Sequence, residues 1–204
     1  MRVTFDTNTL DPITQPDLAG AMRAECMKIY ESLQSKRLEG FFCETIMTVE
    51  GQPLREETIA RVRRALDLGM RILSAPRIGS SGIDDPRGDF YAKDADEGAI
   101  ATRLQRYKSI AAAIEARGLG YARVSKFAKS DSRKLARAVA EWADGDSVAA
   151  HHGYGNDLFC TQDRAVRAGR DSVMHPANRG WLRRVYGVEF VNIAQLAARL
   201  ERFY

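Results

Sequence analysis

Four carboxylates in this chain, Asp6, Glu50, Asp146 and Asp163, stand where an α/β protein would use them. The first segment, Arg2-Val-Thr-Phe-Asp6-Thr7-Asn8, reads as a strand ending in an acid followed by small polar residues. A later one, Leu158-Phe-Cys-Thr161-Gln-Asp163, repeats that arrangement. If the two strands are parallel neighbours, Asp6 and Asp163 meet at the carboxyl rim of the sheet, where open α/β sheets gather their ligands. Carboxylates do not crowd together without a cation or a shared proton. Hard cations such as Mg²⁺ or Mn²⁺ suit oxygen ligands and keep waters that a phosphate oxygen can replace. One or two such ions polarise a phosphodiester and acidify a bound water, which points to hydrolysis.

Each acid also has a plainer reading. Asp6 fits a turn after the first strand, Asp146 a helix N-cap, and Asp163 the cap of a following short helix. Two positions have close rivals: Glu44 precedes Glu50 on the same apolar stretch, and Asp144 lies two residues before Asp146. Asn8 fits either a site role or an Asx turn. Thr161 fits either a support for the first acid or a strand end. His151 and His152 are adjacent on a helix and face different ways, so they make no ligand pair.

The elements that must hold these residues follow from periodicity. Residues 2–6 form a strand; Asp11-Pro12 and Gln15-Pro16 break the chain, with Asp17 as an N-cap for a helix over about 18–36. Phe41-Phe42-Cys43 is a second buried strand, leading into a short helix over Glu44–Glu50 that Gly51 closes. A helix over Arg55–Leu68 and a strand over Met70–Leu73 follow, then a Gly-, Ser-, Asp- and Pro-rich loop over 77–89. Residues 95–117 are helical, and Tyr121–Val124 reads as a strand. A helix capped by Asp131 or Ser132 runs to Trp142, and a separate short helix over Ser147–Tyr154 begins behind Asp146. After the strand at Leu158–Cys160 come a short helix or turn at 164–168, a helix over Pro176–Val185, a strand over Val188–Val191 and a terminal helix over Ile193–Phe203. Strands alternating with helices predict a parallel sheet.

The totals agree with one sizeable domain: 204 residues, 45% hydrophobic, 28% charged and a net charge of +4, with a mean hydropathy of −0.35. The mild basic excess tolerates an anionic partner without demanding one. No apolar run reaches the length of a membrane span, and the strand-like start leaves no room for a signal peptide. Cys26, Cys43 and Cys160 lack zinc-site spacing and read as buried thiols in a reducing cytoplasm. Between residues 117 and 137, seven basic residues face the single acid Asp131. Of these, Lys126, Lys129, Arg133 and Lys134 are candidates to receive phosphates, although such a run can equally be a solvated face. The acidic stretch 84–97 would repel a nucleic acid.

Asp6-Thr7-Asn8, Thr-Val-Glu50-Gly51, Asp146-Ser-Val-Ala-Ala and Phe-Cys-Thr161-Gln-Asp163 together resemble the motifs of the PIN-domain nucleases, a family that includes the ribonuclease toxins of toxin–antitoxin pairs. The resemblance covers roughly residues 1–52 and 135–204; residues 53–130 are longer than the family's usual middle and look like an insertion within a single domain. It favours Glu50 over Glu44 and Asp146 over Asp144, leaving Asp144 a supporting role. It implies a three-layer α/β/α fold with a central, mostly parallel sheet. It also implies Mg²⁺ or Mn²⁺ at Asp6, Glu50, Asp146 and Asp163, with Asn8 and Thr161 orienting them. The expected activity is endoribonuclease hydrolysis leaving a 5′-phosphate and a 3′-hydroxyl. RNA, an antitoxin protein and a second copy of the chain are the partners such a reading implies. The rival is a catalytically silent PIN-like scaffold that binds RNA or protein. A haloacid-dehalogenase-type phosphotransferase ranks last, because it wants an acid where Asn8 stands.

Overall fold

The computed structural model describes residues 1–47, 56–75, 90–120, 122, 124, 132–165 and 169–202. Five strands form one parallel sheet: β1 (Arg2–Phe5), β2 (Glu39–Cys43), β3 (Arg71–Leu73), β4 (Leu158–Cys160) and β5 (Phe190–Val191), in the order β3-β2-β1-β4-β5. Val3 pairs with Gly40 on one side of β1 and with Leu158 on the other. The described helices are α1 (Thr7–Thr14), α2 (Arg23–Gln34), α3 (Glu56–Asp67), α4 (Glu97–Ala116), α5 (Ser132–Tyr154), α6 (Pro176–Tyr186) and α7 (Ile193–Arg202).

Strand residues alternate between two cores, as a sheet covered on both faces requires. Val3, Phe5, Phe42, Ile72, Leu158 and Cys160 point to one core, together with Leu10, Ile29, Val62 and Leu196 from α1, α2, α3 and α7. Phe41, Cys43, Leu73 and Phe159 point to the other, against Tyr107, Ile114, Val148 and Leu182 from α4, α5 and α6. This is the α/β three-layer arrangement expected from the sequence. Of the 53–130 stretch, α3 and β3 belong to the first half of the sheet and α4 packs along α5. The chain at Phe90–Ala92 lies beside β3, with the Ile72 N–H donating to the Phe90 carbonyl at 2.6 Å.

Several local expectations are corrected. Asp11-Pro12 does not break the chain: Thr7–Thr14 is helical, with Pro12 inside it. The Asp11 carboxylate is gripped by Arg61 and Arg64 of α3 at 2.5 and 2.8 Å, which ties the two helices together. Asp17 does not cap α2. It lies in a 3₁₀ turn, Pro16–Leu18, and α2 starts only at Arg23. Ala122 and Val124 are helical rather than extended. Most consequential, Asp144-Gly-Asp146 does not separate two helices; α5 runs unbroken for 23 residues. A single helical glycine costs only about 1 kcal/mol, and packing of α5 on α4 and the sheet outweighs it. Asp131, one of the two proposed caps of α5, lies outside the described residues.

All three cysteines are free and buried; burial pushes the Cys26 and Cys43 thiols up to about 11. Among the described residues no helix is long and apolar enough to cross a membrane.

Candidate functional site

β1 and β4 are adjacent, and the connections leaving them run to opposite sides of the sheet. The helices that follow β1 pack on one face and those around β4 on the other. Their carboxyl ends therefore form the topological switch point, where the diverging loops leave a crevice. Asp6 occupies that rim. Its N–H donates to the Cys160 carbonyl at 2.9 Å, extending the β1–β4 ladder by one bond. Its carboxylate is the N-cap of α1, with Oδ1 accepting from the Thr7 N–H at 2.8 Å.

The other oxygen, Oδ2, accepts from the Thr161 hydroxyl and from Asn8 Nδ2, both at 2.6 Å. Asn8 in turn accepts the Gln162 N–H on Oδ1 at 2.9 Å. Thr161 Oγ1 accepts the Asp163 N–H at 3.0 Å. Asn8 and Thr161 thus bind the segments after β1 and β4 to each other and hold the Asp6 carboxylate in one orientation. Asp163 Oδ1 accepts from the Ala165 N–H at 2.6 Å, which fixes the turn that follows. The turn and cap roles of Asp6 and Asp163 coexist with their meeting at the rim.

A third acid within electrostatic reach of this pair is Asp144. Burial raises its proton affinity well above the ordinary carboxylate range, and repulsion from Asp6, Glu141 and Asp163 adds to the rise against the pull of Arg179. Asp6 is likewise raised, first by burial and further by Asp163, while Thr161, Thr7 and Asn8 partly offset the rise. The structure therefore brings Asp6, Asp144 and Asp163 into mutual electrostatic reach, with Glu141 beside Asp144 one helical turn earlier. Asp146 is fully buried. Two residues on from Asp144, it lies about 200° further round α5, next to Ser147, whose hydroxyl pairs with that of Thr45 at 2.8 Å.

Glu50 lies outside the described residues, as do Lys126 and Lys129. Its rival Glu44 is buried and committed elsewhere. It accepts from the Ala75 N–H, from the Ser74 hydroxyl at 3.2 Å and from the Tyr91 phenol at 3.2 Å. Burial raises its proton affinity against those bonds. Arg133 and Lys134 are exposed in the first turn of α5, eleven and ten residues before Asp144, or roughly 15 Å along the helix. Two of the acids of the 84–97 stretch have structural work: Asp94 pairs with Arg103 at 2.9 Å, and Asp96 caps α4.

Sequence reading missed Glu141 and Arg179. The first had a signal, since a continuous α5 places residues 141 and 144 on one face. Arg179, from α6, had none: it reaches the site by tertiary packing. It donates to the Asp163 carbonyl and stacks over the Phe190 ring at 5.2 Å. Burial lowers its proton affinity, while attraction to Asp163, Asp6 and Asp144 opposes that. His151 is no ligand of the site. Its Nδ1 pairs with Thr4 Oγ1 at 2.9 Å, and burial lowers its pKa to about 3.

The donor set is all oxygen, which is what a hard divalent cation takes, and the repulsion that raises Asp6 and Asp144 is what such a cation would relieve. Among the described residues, no group of three or more His, Cys, Asp or Glu side chains stands so that it could hold a metal ion. No family model matches the chain, and no curated protein is significantly similar to it.

Proposed function

We propose that this protein is a divalent-metal-dependent endoribonuclease of the PIN type, which hydrolyses RNA phosphodiesters at the β1/β4 rim. The observation that carries the reading is the convergence of Asp6, Asp144 and Asp163 on the switch point of a parallel sheet, with Asp6 driven toward protonation by burial and by Asp163, and Asp144 by burial and by Asp6, Glu141 and Asp163. Asp6 and Asp163, with Asp144 and residues of the family-like pattern (Asp146 and Glu50), would hold Mg²⁺ or Mn²⁺. Such an ion supplies charge neutralisation at phosphorus and an acidified water.

The chain's own residues supply position. Thr161 and Asn8 keep Asp6 from rotating, so one carboxylate geometry is present before substrate arrives. The rim lies between diverging loops, which leaves the scissile phosphate access from solvent. Water adds to phosphorus in line as the bond to the 3′ oxygen breaks. The phosphate stays on the 5′ end of the downstream fragment and a proton goes to the departing 3′ oxygen. The test is cleavage of single-stranded RNA in the presence and absence of Mg²⁺ or Mn²⁺. Metal-dependent products with 5′-phosphates, abolished in a folded Asp6→Asn variant, support the reading; full activity in that variant overturns it. A toxin role, with an antitoxin as partner, further predicts growth arrest on expression that Asp6→Asn relieves.

A specific observation favours a second reading, a catalytically silent scaffold. The guanidinium of Arg179 already stands among the acids as a resident positive charge, and in a silent protein it would take the cation's place.

A further inference from the structure

Beside Asp6 and Asp144, and sharing Thr161 and Asp163 with the acidic rim, lies a cavity of ≈ 400 Å³ between the loop after β4, helix α6 and the β5–α7 corner. Its volume falls in the range of small-ligand pockets. Three of its lining residues are arginines, Arg164, Arg179 and Arg183, against one carboxylate, Asp163. Arg164 and Arg183 are exposed. Among the described residues, the charged partner of Arg183 is Glu189, at 3.8 Å, which pairs more closely with Arg199. An exposed pair of that length costs little to break, so the Arg183 guanidinium is free to turn to an anion.

The far wall offers neutral donors. The Asn192 N–H bonds Gln195 Oε1 at 2.9 Å, and the Gln195 N–H bonds Asn192 Oδ1 at 2.8 Å. This reciprocal cap of α7 uses both amide oxygens and leaves both NH₂ groups as donors. Phe190 and Val191 supply an apolar floor between the two polar walls.

We propose that this cavity is a subsite for one nucleotide of single-stranded RNA adjacent to the scissile bond. Arg164 and Arg183 hold a backbone phosphate, and Asn192 and Gln195 meet acceptor atoms on the base edge above Phe190. Arginine forks match phosphate geometry, and amide donors read exposed base edges in unpaired RNA. The proposal rests on the nuclease reading for the identity of its ligand. Arg179 is a positioning residue here: it fixes the Asp163 carbonyl, and so joins the subsite wall to the acids.

The test is binding of a short fluorescent oligouridine to the full chain in chelator, where no cleavage occurs, measured across a series of salt concentrations. Arg164→Gln combined with Arg183→Gln is expected to weaken binding about tenfold or more and to flatten the dependence of log K on log salt by about 0.7 per lost phosphate contact. Lys36→Gln, at the opposite rim of the sheet, is expected to change neither appreciably. Asn192 and Gln195 are probed by comparing oligouridine with an abasic strand; the wild-type protein should prefer the former. Unaltered affinity and slope in the double arginine variant, in a protein whose melting temperature is unchanged, overturn the subsite. Equal affinity for inorganic phosphate and oligouridine also overturns it, since the cavity would then be a plain anion site. The two readings fail separately. Wild-type cleavage with no effect of the arginines removes the subsite alone, and arginine-dependent binding without metal-dependent cleavage removes the nuclease alone.

Discussion

At the scale of single residues, the account turns on how the Asp6 carboxylate is held and what faces it. Thr161 donates a buried hydrogen bond to Asp6 Oδ2 and accepts one from the Asp163 N–H, so Thr161→Val keeps the side-chain volume and removes these two bonds. We expect it to lower metal affinity or cleavage by about 10- to 100-fold, the usual loss when an outer partner of a ligand is removed; titration of activity against Mn²⁺ checks this. Asp144→Asn removes the acid most disfavoured by its neighbours. It should raise the metal-free melting temperature, by roughly 2–4 °C for each kcal/mol of relieved repulsion, and reduce stabilisation by Mn²⁺. A thermal melt in chelator that shows no gain would mean that Asp144 is not under strain. Asp6, Asp163, Asn8 and Thr161 were legible in the sequence because each follows directly on an apolar strand, and strand ends are the positions a short pattern can mark. The weight given to Asp146 over Asp144 came from the PIN-like pattern, in which the acid directly precedes a helix such as Ser147-Val-Ala-Ala. On the unbroken helix the two acids lie about 200° apart; Asp144 is within electrostatic reach of Asp6 and Asp163, and Asp146 is fully buried.

At the scale of elements, the continuity of α5 is itself testable. A Cβ at Gly145 would meet Ile114 Cγ2 at 3.5 Å and Gly120 Cα at 3.8 Å, both ordinary contacts. Gly145→Ala should therefore stabilise the protein by about 0.5–1 kcal/mol through helix propensity and unfolded-state entropy. Were residues 144–146 a break between helices, no such gain would appear in a denaturant titration. Gly153, two turns on, is different: a Cβ there would lie 3.1 Å from the Arg103 carbonyl oxygen of α4, so Gly153→Ala should destabilise by prying α4 from α5. The sheet-to-helix link has its own check. Thr4 Oγ1 meets both His151 Nδ1 and Asn156 Nδ2 at 2.9 Å in the core. Thr4→Val strands these buried polar groups and should cost about 1–3 kcal/mol, read as a lower denaturation midpoint. β1, β2 and β4 were readable because buried parallel strands appear as short apolar runs. The helix at Thr7–Thr14 was not, since Pro12 argues locally against it, and it is held by the burial of Leu10 and Ile13 and by the Arg61 and Arg64 contacts from α3.

At the scale of the whole molecule, the acids impose a pH signature. A carboxylate whose proton affinity is raised by folding binds its proton more tightly in the native state than in the unfolded chain. Stability then falls as pH rises through the window between the ordinary carboxylate value and the raised one. Asp6 and Asp144 both shift in that direction, so their joint contribution to metal-free stability should decline on going up from acid pH. A divalent cation should cancel the decline, because it favours the ionised forms. Asp11 works the other way: burial alone would raise it, but Arg61 and Arg64 outweigh burial and hold it below the ordinary range. Its contribution is present above that range and lost as pH falls. Thermal melts against pH, with chelator and with Mg²⁺, separate the two trends, since only the Asp6 and Asp144 part responds to the metal. The parallel order and its two covered faces could be anticipated from the alternation of strands and helices. The approach of Arg179 to the acids could not, because nothing near it in the chain marks a contact made across the fold.

The most direct measurement is a calorimetric titration of Mn²⁺ into the wild-type protein and into Asp6→Asn and Asp144→Asn, each confirmed folded. The account predicts a saturable site in the wild type that weakens by an order of magnitude or more in both variants. Equal binding in all three proteins, or none in the wild type, would contradict it and leave Arg179 as the charge that makes the acidic rim tolerable.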